Sequence, residues 1–202
     1  ASITISGSVT SIEYEVFYGC SSLASITIPE SVTSIGLSTF EGCFSLTSIT
    51  IPESVTNIGS RAFSGCVFVG KDNFINYSSL NAEENNYWGA SIADKDIDGL
   101  LIKNNTIIAC RPYVTSVTIP NSITSIGSEA FEYCSSLTSI TIPNSIKSIG
   151  YGIFLGCYNL SSIVVESGNT TYDSRNNCNA IIHFSTGRLV AGCKNTIIPD
   201  NV

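Results

Sequence analysis

One 23-residue pattern recurs through this chain and constrains its fold more than any other feature. Residues 23–45 read LASITIPESVTSIGLSTFEGCFS and residues 46–68 read LTSITIPESVTNIGSRAFSGCVF. Residues 114–136 read VTSVTIPNSITSIGSEAFEYCSS, and residues 137–159 read LTSITIPNSIKSIGYGIFLGCYN. The chain opens part-way through another copy, with Ile3, Ile5, Val9, Ile12, Phe17 and Cys20 in phase. LSSIVV at 160–165 opens a further copy, and Ile197-Ile198-Pro199 starts one that the chain end cuts. Self-similarity at such a period marks a stacked-repeat architecture. A single unit cannot bury its apolar face, whereas a stack of units buries a continuous core.

Within the copy at 46–68, Leu46, Ile49 and Ile51 face inward along a short strand. Pro52 ends that strand, because proline has no N–H for a ladder and favours a turn. Val55 and Ile58 return to the core, and Gly59 allows a turn that a Cβ would resist. Ala62 and Phe63 fill the far side of the interior from a short helical or 3-10 turn. Parallel pairing between copies would set successive coils about 4.8 Å apart. The expected fold is therefore a β-rich α/β solenoid, a right-handed superhelix with a ladder of Ile and Leu inside.

Two stretches depart from the pattern. Pro29 to Pro52 and Pro120 to Pro143 are each 23 residues apart, whereas Pro52 to Pro120 is 68. Residues 69–113 thus replace about two copies with an irregular insertion, whose beginning, Val69 to Phe74, can still supply one inner strand. Its end, Gly99-Leu-Leu-Ile, then Lys103-Asn104-Asn105, then Thr106-Ile-Ile-Ala, reads as a β-hairpin around a polar turn. Residues 166–196 carry a matching hairpin, Asn179-Ala-Ile-Ile-His-Phe and Arg188-Leu-Val-Ala about a Gly-containing turn. The reading is one domain over 1–202. Regular repeats run over 1–68 and 114–165, insertions over 69–113 and 166–196, and a truncated repeat over 197–202.

Five of the eight cysteines (Cys20, Cys43, Cys66, Cys134 and Cys157) occupy one repeat position. Neighbours in such a ladder point the same way, which meets disulfide geometry poorly, so a column of small buried thiols is expected. Cys178 and Cys193 flank the second hairpin within one residue of register, and both a bridge and two free thiols fit there.

Charged residues are only 12% of the chain, its net charge is −7 and its pI is about 4.5. A nucleic-acid backbone is a poor partner for such a surface. The lone histidine, His183, and the lack of any C-x-x-C exclude ordinary zinc sites. Asp94-Lys-Asp96-Ile-Asp98-Gly99 matches the first half of a calcium loop, but its twelfth position is Asn105 rather than a bidentate Glu. The preferred reading there is an acidic, solvated turn. No G-x-S-x-G, G-x-G-x-x-G or Walker loop occurs, and Glu83-Glu84 is merely a neighbouring pair. Neither an enzyme nor a cofactor is expected. No stretch approaches the ~18 apolar residues of a membrane-spanning helix. The chain has no Met and both ends stop inside repeats, so flanking segments, or self-association of uncapped ends, are expected.

The pattern L-x-x-I-x-I-P-x-x-V-x-x-I-G-x-x-A-F-x-x-C, carried at 23–43, 46–66, 114–134 and 137–157, resembles the BspA-like class of leucine-rich repeat. The resemblance implies a secreted or surface-anchored bacterial protein. It also implies adhesion to host matrix proteins or to other cells, and it brings no catalytic residues.

Two sets of residues are candidates for contact. Outward Ser-x-Thr pairs, among them Ser48/Thr50 and Ser139/Thr141, make a regular hydrogen-bonding face, although threonine also simply favours strands. Tyr77, Tyr87 and Trp88 lie in the irregular insertion, where loop aromatics serve as interface anchors. The functional expectation is a non-enzymatic, extracellular or cell-surface binding module. The alternative is a rigid spacer that presents other domains.

Overall fold

The computed structural model describes residues 1–70, 74–76, 91–200 and 202. They form two compact units, Ala1–Asp94 and Lys95–Val202.

The first unit contains β1 (Ser2–Thr4), β2 (Ser11–Ile12), β3 (Ser25–Thr27), β4 (Ser34–Ile35), β5 (Ile49–Ile51), β6 (Asn57–Ile58), β7 (Val67–Val69), β8 (Phe74–Asn76) and β9 (Ser91–Ala93). Among the described residues its pairings are parallel, and those of the regular coils follow the repeat. Ser2 lies beside Ser25, and Ser11 beside Ser34 beside Asn57. Where the repeat breaks, parallel pairing continues with longer coils: Ile49 meets Phe74 and Val67 meets Ser91. Residues 69–113 therefore do supply coil strands.

The second unit contains β10 (Lys95–Ile97), β11 (Leu100–Lys103), β12 (Thr106–Cys110), β13 (Ser116–Thr118), β14 (Ser125–Ile126), β15 (Ser139–Ile142), β16 (Ser148–Ile149), β17 (Ser162–Val165), β18 (Tyr172–Asp173), β19 (Ala180–His183) and β20 (Leu189–Gly192). β10, β11 and β12 form an antiparallel meander. Its turns are Asp98-Gly99 and Asn104-Asn105, all four with positive φ, as tight hairpin turns require. β12 then pairs in parallel with β14, Ile107 beside Ile126. Ile107 accepts from Gly127 N–H at 2.8 Å, just as Ile12 accepts from Gly36 at 2.7 Å and Ile35 from Gly59 at 2.8 Å. β12 is thus a rung of the coil ladder rather than an ornament beside it. β18, β19 and β20 make a separate antiparallel sheet after β17.

The inward columns are where the sequence places them. Leu46, Ile49, Ile51, Val55, Ala62, Phe63 and Cys66 are all buried, as are Leu137, Ile140, Ile142, Ile146 and Ile153. Burying each large aliphatic side chain contributes about 1.5–3 kcal/mol. Phe17, Phe40 and Phe63 stack at 5.3 Å centroid spacing and within 9° of parallel, which adds about 0.5–1.5 kcal/mol per pair.

The expected α component is absent from the described residues, whose one helical piece is the 3-10 turn Arg175–Asn177. The segment around Phe40 and Phe131 explains why. Each coil carries two left-handed residues there, Ser38/Gly42, Arg61/Gly65, Glu129/Tyr133 and Gly152/Gly156 among them, which a right-handed helix does not accept. Alternate amides of the segment also bond the next coil: Phe17 N–H to Thr39 at 2.9 Å, Phe40 to Ala62 at 2.8 Å and Phe131 to Ile153 at 3.0 Å. The role of Gly59 likewise differs from the expectation. A Cβ there would sit 2.4 Å from the Leu37 nitrogen, so glycine is needed for the close approach of two coils.

All eight cysteines are free, including Cys178 and Cys193. The thiols of Cys43, Cys66 and Cys157 donate to the carbonyls of Phe17, Phe40 and Phe131 at 3.2, 3.2 and 2.9 Å, one coil back. Burial, followed by the neighbouring thiol, pushes Cys43 and Cys157 up to about 12. Cys134 is also raised, first through its hydrogen bond with Cys110 and then by burial.

Two expectations follow. Gly59→Ala should destabilise the fold by about 1–3 kcal/mol, as overpacking does. Glu129→Gly should raise the urea midpoint, because relief of a left-handed residue (about 1–2 kcal/mol) exceeds the entropy penalty of glycine (about 0.5–1 kcal/mol). For the thiols, an unfolded cysteine ionises near pH ~8.5. A folded value of about 12 therefore stabilises the fold fully below the unfolded value, and that stability is lost as pH rises toward the folded one. The urea midpoint should fall across this alkaline window, and fall less in Cys43→Ala.

Candidate binding surface

In the regular coils the first strand presents one inward aliphatic side chain between two outward hydroxyls. In β3 and β13 the central Ile26 and Val117 are buried, while Ser25, Thr27, Ser116 and Thr118 are exposed. Ser48, Thr50 and Thr141 are exposed and Ser139 is half-buried. The parallel register aligns them, with Ser116 beside Ser139 beside Ser162 and Thr118 beside Thr141 beside Val164. In the first unit Thr4 lies beside Thr27, and Thr50 lies beside Ile75. The hydroxyl row is therefore short, and Val164, 48% exposed, closes it in the second unit.

Neighbouring hydroxyls show what distinguishes this row. Thr33 and Thr138 donate to the carbonyls of Thr10 and Thr115 at 3.1 and 3.0 Å, and Ser31 and Ser54 to those of Val9 and Val32 at 2.6 and 2.7 Å. Those groups stitch coil to coil. The hydroxyls of Ser48, Thr50, Ser139 and Thr141 make no hydrogen bond among the described residues. No charged side chain occurs in the strand segments 1–6, 23–28, 46–51, 114–119, 137–142 or 160–165. The face can thus donate and accept hydrogen bonds with little electrostatic preference. Tyr77, Tyr87 and Trp88 lie outside the described residues.

Other candidates are committed elsewhere. Asp96 accepts from Gly99 N–H at 2.8 Å and from the Nε of buried Arg111 at 3.4 Å, so it holds the turn together. Among the described residues no three His, Cys, Asp or Glu side chains cluster as metal ligands would. His183 is half-buried, edge-on to Tyr172 with centroids 5.7 Å apart. Two hydrogen bonds from the Arg175 guanidinium, at 2.9 and 2.6 Å, hold the Asp173 carboxyl below its ordinary range.

A second group of surface residues escaped the sequence reading. Tyr133, Tyr151 and Tyr158 are 47%, 73% and 78% exposed on the turn side of two adjacent coils. The signal was available in the alignment of copies. Tyr151 stands where other coils have Tyr14, Leu37, Ser60 and Ser128, all exposed, and Tyr133 stands in the glycine column of Gly19, Gly42, Gly65 and Gly156.

Among the described residues no helix is long and apolar enough to cross a membrane. The coils have solved relatives. A leucine-rich cell surface protein of Faecalibacterium prausnitzii A2-165 is 32% identical over 80% of this chain, with a TM-score of 0.39, and this chain spans 40% of it. A leucine-rich repeat protein of Eubacterium ventriosum is 20% identical over the whole chain and 50% of its own length, with a TM-score of 0.35. The pneumococcal vaccine antigen PcpA is 22% identical over 90% of this chain and 34% of its own, with a TM-score of 0.32. No curated protein matches. The model of the BspA type leucine-rich repeat region matches six copies over residues 1–92 and 101–190. With that match covering most of its length, the chain belongs to the BspA type leucine-rich repeat family.

Proposed function

We propose that this chain is a non-enzymatic binding module of a cell-surface or secreted bacterial protein, and that its Ser-x-Thr strand face makes the principal contact with a protein or glycan. The observation that carries the reading is that the outward hydroxyls of Ser48 and Thr50 in the first unit, and of Ser139 and Thr141 in the second, make no hydrogen bond among the described residues, whereas Ser31, Thr33, Ser54 and Thr138 donate to carbonyls one coil back. A repeated, uncharged row suits multipoint contact, in which each rung contributes about 0.5–1.5 kcal/mol and affinity comes from their number. Host matrix proteins are the first partner class to test. Tyr77, Tyr87 and Trp88, in the irregular insertion, are proposed as further contact residues. Family membership and the cell-surface description of the Faecalibacterium relative support the location.

The test is a binding screen of the purified chain against host matrix proteins and glycans, with Thr50→Lys/Thr141→Lys and Trp88→Ala beside it. Saturable binding that falls at least tenfold in the threonine variant, with an unchanged circular dichroism spectrum, is expected. Retained binding in that variant would move the contact off the hydroxyl face, and no saturable partner at all would favour a rigid spacer that presents recognition domains elsewhere.

A further inference from the structure

The turn side of the second unit has a chemistry opposite to that of the hydroxyl face, and different residues build it. Its two adjacent coils are tied by backbone bonds from Glu129 N–H to Tyr151 at 2.9 Å and from Tyr133 N–H to Leu155 at 2.7 Å. Across this seam lie the exposed Tyr133, Tyr151 and Tyr158, together with Leu155 at 54% exposure. Glycines in the second coil make room for the side chains of the first. A Cβ at Gly156 would come 2.5 Å from Cδ1 of the Tyr133 ring, and one at Gly152 would come 3.4 Å from Cγ of Glu129. The Tyr133 ring and the Glu129 stem are thus laid across the neighbouring coil, which fixes their positions.

Charge is distributed unevenly around this patch. Glu129 is exposed and Glu132 half-buried. Burial, then the negative charge of Glu129, raises the Glu132 carboxyl above its ordinary range. Lys147 is the sole basic residue between 127 and 158, and its ammonium donates to the Asn144 carbonyl at 2.9 Å and to Thr170 at 3.3 Å. No cation within these coils therefore answers the two carboxylates. An arginine or lysine from outside would pair with them and lie over the tyrosine faces, where a cation gains a further ~0.5–1 kcal/mol even at exposed sites. Tyrosine is also among the residue types enriched at protein interfaces.

We propose that the tyrosine–glutamate turn face formed by Glu129, Glu132, Tyr133, Tyr151 and Tyr158 docks a basic, arginine- or lysine-bearing protein segment. The surface and its chemistry are separate from the hydroxyl face, so either proposal stands without the other.

The experiment titrates the full chain with an octa-arginine peptide and follows backbone amide chemical shifts. Saturable perturbations should concentrate at residues 128–133 and 151–158. Affinity read from those amides should fall at least tenfold in Tyr151→Ser/Tyr158→Ser and in Glu129→Gln/Glu132→Gln. It should change less than twofold in Glu30→Gln/Glu53→Gln, which removes the same net charge from the first unit. Circular dichroism and urea midpoints report whether each variant keeps its fold. Perturbations spread over both units, equal losses in the charge control, or a neutral oligosaccharide held by these tyrosines in place of the peptide would each overturn the proposal.

Discussion

Backbone hydrogen bonds that run from one coil to the next, in a 23-residue register wherever the repeat is regular, are the constraint on which the rest depends. They operate in the strands, where Ser2 meets Ser25 and Ser116 meets Ser139. They operate equally in the turn segments, where Phe40 N–H reaches Ala62. Because the bonds join like position to like position, each residue type forms a column. The columns of Ile, Leu and Phe become the interior, and the cysteine column becomes a row of thiols bonded to carbonyls one coil back. Gly59 and Gly150 are where the backbones come closest, and a Cβ at either would sit within 2.4 Å of the coil before.

The same column logic gives each side of a coil its own chemistry. Strand residues alternate about buried Ile26, Ile49, Val117 and Ile140, which leaves Ser and Thr pointing outward. The following segment spends its hydroxyls on the carbonyls of the previous coil, as Ser31, Thr33 and Ser54 do. The turn segment holds the aromatic and acidic residues, Tyr14 and Glu15 in one coil, Glu129, Tyr133 and Tyr151 in others. Binding specificity in such a scaffold can change by substituting outward positions of one column without disturbing the core columns.

Much of this was legible in the sequence, since a repeat exposes its own columns. Leu46, Ile49, Ile51, Val55 and Phe63 are inward as their spacing required, and the Ser-x-Thr row is outward. The turn segment was not legible, because A-F following a polar run looks helical locally. What excludes a helix is the left-handed pair Arg61 and Gly65 together with hydrogen bonding to another coil, and neither leaves a local mark. The part played by β12 was hidden for a related reason. Its sequence, TIIAC, lacks the repeat pattern, yet Ile107 fits the rung beside Ile126, with its carbonyl accepting from Gly127 and its side chain buried in the same core. Tyr133 and Tyr151 were readable only once their columns were known to face outward.

Amide hydrogen exchange resolved by residue is the most direct measurement of the ladder between coils. The turn amides of Phe40 and Phe131 are expected to exchange as slowly as the strand-end amides of Gly36 and Gly127, because all four bond to a carbonyl of an adjacent coil. Turn amides that exchange at the rate of an open chain, beside protected strand-end amides, would contradict this. The coils would then be held along their strands alone, and the turn face would lack the fixed columns that give it its chemistry.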